Sequence, residues 1–95
     1  MSTIAIPKEV KNNEFRVAIT PIGVRELVAR SHEVVIEAGA GVGSQISDEQ
    51  YVAAGAQIAP DAESTWGAAD IVLKVKGPFE PEYRLLRPGL TLFTY

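Results

Sequence analysis

Five short apolar runs, separated by segments with helical spacing, limit what this chain can fold into more than any other feature. They are Thr3 to Ile6 (TIAI), Glu33 to Ala38 (EVVIEA), Gln57 to Ala59 (QIA), Asp70 to Val75 (DIVLKV) and Leu90 to Tyr95 (LTLFTY). Runs this short and this apolar read as buried strands. Between the first two, Thr20 offers an N-cap hydroxyl and Pro21 an N1 proline. Val24, Leu27 and Val28 then recur at i, i+3 and i+4, which predicts an amphipathic helix over 21–30. Ser47 and Gln50 fit a capping box ahead of a helix over 48–54, and Gly55 is placed to end it. Residues 61–69 read as a short helix capped by Asp61, and 78–87 as a loop and short helix closed by Pro88-Gly89. Alternating strands and helices imply crossover connections. The expected fold is therefore α/β, a mainly parallel sheet flanked by helices.

The 95 residues suffice for one domain, spanning 1–95, and 46% hydrophobic with 22% charged residues suits a soluble globular chain. A net charge of −3 without any lysine or arginine cluster argues against nucleic acid or an anionic membrane surface as partner. There is no cysteine and one histidine, so disulfides, thiolate chemistry and a His-rich metal site are not expected. The first residues lack the pattern of a signal peptide, and no apolar run approaches the roughly 18–20 residues that span a bilayer. A cytoplasmic location follows as the expectation. An α/β domain rarely stops on the last residue of an apolar strand, because the helix covering that strand is then missing. The chain is thus expected to be truncated at its C-terminal end and to self-associate, its last strand being an association liability.

The stretch Glu37 to Ser47 (EAGAGVGSQIS) invites comparison with the dinucleotide fingerprint G-x-G-x-x-G. Gly39, Gly41 and Gly43 are spaced G-x-G-x-G instead, with Ser44 where the third glycine belongs. The next helix is capped by Ser47, so the loop is not its N-terminus, and the acidic residue required near the end of the following strand, about 20 residues on, is not evident. The loop reads as a tight turn, with no cofactor-binding residue assigned to it. His32 to Ile36 (HEVVI) begins like a zinc-protease helix but has isoleucine where the second histidine belongs, and it reads as a strand. His32 is expected at the surface. No serine sits in a G-x-S-x-G elbow.

Two cations remain. Arg16 follows the first strand, between Phe15 and Val17, and Lys76 follows DIVLKV. Ligands of open α/β sheets bind outside the carboxyl ends of the strands, so parallel and neighbouring strands would bring both cations to one crevice. A guanidinium can grip a carboxylate bidentately and an ammonium can polarise a carbonyl. The alternatives are that Arg16 pairs with Glu9 or Glu14 and that Lys76 is simply solvated. Lys74, two residues earlier, is an equal candidate for the inward-facing lysine on pattern alone.

Four stretches covering nearly the whole chain carry a family resemblance: IPKEVKNNEFRVAITP, EAGAGVGSQISDEQYVAAGAQI, ADIVLKVKGP and LRPGLTLFTY. They resemble, in order and spacing, the N-terminal segment of alanine dehydrogenases. The same domain occurs in the α subunit of proton-translocating NAD(P) transhydrogenase. Asn12 to Val17 and Lys76 follow the dehydrogenase pattern; Gly77 departs from it, glutamate being common there.

The resemblance implies an incomplete Rossmann-like substrate domain from an enzyme that reversibly oxidises L-alanine to pyruvate and ammonia with NAD. By motif match, Arg16 would hold the substrate carboxylate, and Lys76 would bind near the carboxylate and carbonyl oxygen. The implied ligand is a small carboxylate, pyruvate or L-alanine. The family's catalytic histidine, its catalytic aspartate and its NAD domain correspond to no residue of this chain. No NAD binding and no turnover are therefore expected of the isolated 95 residues. Other readings are a transhydrogenase α-subunit segment and a stand-alone non-catalytic module that binds a carboxylate or another subunit.

Overall fold

The first apolar run becomes the central strand of the molecule. In the computed structural model, which describes residues 2–9, 17–75 and 80–94, β1 (Thr3–Ile6) lies between β2 (Glu33–Glu37) and β4 (Ile71–Lys74). The edges are β3 (Gln57–Ala59) beside β2 and β5 (Thr91–Thr94) beside β4, giving the order β3-β2-β1-β4-β5. Every pairing is parallel; Ala5, for example, lies opposite Val35 on one side and Val72 on the other. Parallel neighbours cannot be joined by a tight turn, so crossover segments, mostly helical here, carry the chain back.

Those helices form as the caps direct. In α1 (Pro21–Ala29) the Thr20 hydroxyl accepts from the Gly23 amide. In α2 (Asp48–Ala54) both halves of the capping box are made, Ser47 Oγ accepting from Gln50 N–H at 3.2 Å and Gln50 Oε1 from Ser47 N–H at 2.8 Å. Gly55 ends α2 with φ of 110°, a conformation that glycine takes without strain. Asp61 caps α3 (Ala62–Ala68), accepting from the Ser64 amide.

Side-chain alternation along the strands splits the core in two. Ile4, Ile6, Val34 and Ile36 point to one face and pack with Val24 of α1 and Tyr51 and Ala54 of α2. Ala5, Val35, Ala59 and Val72 point to the other and pack with Trp66 of α3. A parallel strand covered on both faces is apolar throughout, which is why TIAI shows no polar alternation. The sequence-based strands and helices are all present, within a residue or two at their ends. Residues 80–85 form a 3-10 helix, and the glycine loop contains another at Val42–Ser44.

Candidate substrate site at the carboxyl ends of β1 and β4

The chain runs from β1 outward to β2 and β3, then crosses back to lay β4 on the other side of β1. The strand order therefore reverses between β1 and β4. Their carboxyl ends form the topological switch point, where open α/β sheets hold ligands. The condition set by the sequence is met: β1 and β4 are parallel neighbours. Arg16 and Lys76, the two residues expected to use that crevice, both lie outside the described residues.

What borders them is described. Beyond β1, Glu9 is buried, and beyond β4 so is Val75; Lys74, the last residue of β4, is 0% exposed. Lys74 Nζ lies 3.1 Å from Glu9 Oε1 and 2.8 Å from Glu82 Oε2, so one ammonium is shared by two carboxylates. Glu9 Oε2 accepts the Val75 amide at 3.0 Å. Glu9, weighed above as a partner for Arg16, thus grips two consecutive residues at the end of β4. Lys74 faces inward, and its charge meets internal carboxylates. Period-two alternation carried a signal for this, because Lys74 shares a face with the buried Val72, and a buried lysine needs carboxylate partners.

Two further contacts shape this edge. The Lys8 amide donates to Glu37 Oε1 at 2.9 Å, at the end of β2. Glu37 is half-buried, and burial pushes its carboxyl above the ordinary 4.5, while the Lys8 amide, Lys8 and Lys74 pull the other way. The Tyr51 hydroxyl donates to Ile19 O, in the turn between Val17 and α1.

The glycine loop is bonded and packed within the fold. The Gly39 amide is taken by Asp48 Oδ1 at 3.0 Å. A Cβ at Gly41 would meet Ile46 O and Tyr51 Cε2, both at 2.8 Å, so the loop is packed onto its own neighbours. His32 heads β2 half-buried, with Nδ1 accepting from the Ser2 amide. Among the described residues no cluster of three or more His, Cys, Asp or Glu could hold a metal, and no helix is long and apolar enough to cross a membrane.

The sequence and the fold both have known relatives. Alanine dehydrogenases of Mycolicibacterium smegmatis and Bacillus subtilis are 60% and 51% identical to this chain over 92 residues. These matches cover 97% of this chain and 25% and 24% of those proteins, so the chain spans about a quarter of their length. A solved L-alanine dehydrogenase superposes with a TM-score of 0.94 at 47% identity, over 98% of this chain and 26% of that one. The transhydrogenase of Sinorhizobium meliloti gives 0.89 at 38%, over 97% of this chain and 27% of that one. The model of the alanine dehydrogenase/PNT N-terminal domain matches residues 5–95, and the chain belongs to that family.

Proposed function

We propose that this chain forms the N-terminal, substrate-binding part of an NAD-dependent L-alanine dehydrogenase. In this reading Arg16 grips the carboxylate of pyruvate or L-alanine as a fork, and Lys76 lies beside the carboxylate and the carbonyl oxygen. The observation that carries the reading is topological. β1 and β4 are parallel neighbours where the strand order reverses, and Arg16 and Lys76 follow those two strands in the sequence. Greater identity to the solved alanine dehydrogenase than to the solved transhydrogenase supports the same side. The proton-transferring residues and the NAD-holding domain are assigned to parts of the enzyme outside these 95 residues, so the chain alone turns nothing over.

Titration of the isolated chain with pyruvate, followed by NMR with Arg16→Ala as control, tests this. Saturable shifts at Arg16 and Lys76 that vanish in the variant support a carboxylate half-site. Shifts that persist unchanged in Arg16→Ala sink the assignment. The second reading, a segment of a transhydrogenase α subunit, is favoured by the Sinorhizobium meliloti structure. Genes for membrane-spanning subunits beside this one would decide for it.

A further inference from the structure

A lysine buried to 0% exposure between two glutamates is a poor way to stabilise a fold. Removing three charges from water costs about as much as their attraction returns, and apolar side chains of similar volume often do better. What such a cluster supplies is direction. The Glu9 carboxylate holds Lys74 Nζ with one oxygen and the Val75 amide with the other, and Lys74 also holds Glu82. Three stretches of chain, after β1, at the end of β4 and in the 3-10 helix Glu80–Leu85, are pinned together at the switch point. Glu9 stands seven residues ahead of Arg16, Val75 directly ahead of Lys76, and Glu82 six residues after it. On the far side of Arg16, Ile19 O is fixed by the Tyr51 hydroxyl.

Resting on the substrate reading above, we propose that Glu9, Lys74 and Glu82 are positioning residues for that site, fixing the main chain at Glu9 and at Val75, from which the segments bearing Arg16 and Lys76 follow in sequence. Two cations gripping one small carboxylate must hold their spacing to within a fraction of an ångström, and an error of about 1 Å can cost on the order of a hundredfold. Apolar contacts slide; a carboxylate bonded to a main-chain amide and an ammonium does not. The cluster thus holds the main chain at Val75, and the cations beyond it do the binding.

The test is made in the natural gene product, at whatever length it is produced, with pyruvate, ammonia and NADH as reactants. Glu9→Ala, Glu9→Gln, Lys74→Met and the charge-balanced pair Glu9→Gln with Lys74→Met are compared with Val34→Ala, a destabilising core change at the opposite end of the sheet. KM for pyruvate is expected to rise on the order of tenfold or more in the cluster variants and to stay unchanged in Val34→Ala at equal loss of Tm. Glu9→Gln, which keeps an acceptor for the Val75 amide, is expected to do less than Glu9→Ala. Should the pair not fold, adding Glu82→Gln removes the other carboxylate that Lys74 held, and KM is read in that triple variant instead. An unchanged KM in the balanced pair, with Tm falling as in Val34→Ala, overturns the positioning role. Arg16→Ala and Lys76→Ala separate the two claims. If they raise KM and the cluster variants do not, only positioning fails; if they leave KM alone, the substrate reading fails and takes this proposal with it.

Discussion

The Tyr51 hydroxyl donates a 2.7 Å hydrogen bond to the carbonyl oxygen of Ile19, across 32 residues of sequence. It joins α2 to the turn ahead of α1 and closes one side of the core. Tyr51 is 0% exposed, and burial, with the nearby Asp48 carboxylate, pushes its phenol up from 10.0 to about 12.

Tyr51→Phe is expected to cost about 1–3 kcal/mol, because the ring still packs while the Ile19 carbonyl loses its partner. The pH dependence has a definite sign. With the folded pKa above the unfolded one, the contribution is full below pH 10.0 and is lost as the pH rises towards about 12. Urea denaturation read by the single tryptophan, Trp66, on either side of pH 10.0 should show that loss in the wild type and not in Tyr51→Phe. Parallel profiles in the two proteins rule it out.

Two glycines should respond in opposite directions to alanine. At Gly41 the new Cβ lies within 2.8 Å of Ile46 O and Tyr51 Cε2, so Gly41→Ala should destabilise by about 1–3 kcal/mol. At Gly67, inside α3, a Cβ meets nothing within 4 Å, so Gly67→Ala should stabilise by about 0.5–1 kcal/mol. Thermal melts of both variants check the pair; equal shifts of the same sign contradict the packing account.

Glu37 is the acid-side counterpart of Tyr51. Burial raises its carboxyl pKa in the fold, so the fold favours the protonated form. That contribution is full below the unfolded value of 4.5 and is lost as the pH rises through the raised value. Glu37→Gln stays neutral and can still accept the Lys8 amide. Its stability relative to wild type should therefore climb with pH from below 4.5 towards neutrality. A difference that is flat across this range counts against the burial effect.

The edge strand β5 carries Phe93 at 56% exposure, with Thr91 and Thr94 also exposed. We expect the 95-residue chain to self-associate through this edge, and Phe93→Lys to shift it towards monomer, a charge there opposing strand addition. Light scattering coupled to size-exclusion chromatography reads the mass directly. A clean monomer at high wild-type concentration refutes the expectation.

Most of this architecture could be read from local signals. TIAI and QIA give their strands to the residue, because Pro7 and Pro60 stop them, and Ser47 with Gln50 marks the start of α2 through a cap that depends only on neighbours in sequence. The strand order was not readable, since nothing local to β1 says that its second neighbour is β4. The Glu9–Lys74–Glu82 cluster is of the same kind: its first two members are 65 residues apart and meet only once the sheet is assembled. Sequence pattern offered Lys74 and Lys76 as equals. That Lys74 is buried against carboxylates depends on the covering of both faces of the strand, a property of the tertiary fold. Arg16 and Lys76 came from their places after β1 and β4, and their roles from motif resemblance; both lie outside the described residues, so they rest on the ligand experiments above.

The placement of β1 at the centre of the sheet has a consequence for how the molecule comes into being. β1 is separated from β2 by about thirty residues of chain, but its other neighbour lies more than twice as far along, Ala5 pairing with Val72. Contacts of such separation in sequence slow folding, since the loop must be closed before the pairing repays it. Until then one edge of β1 stands open, and the nascent chain has a half-sheet with no crevice. The place where ligand would be held is thus a late product of folding, absent from any intermediate that stops at β3.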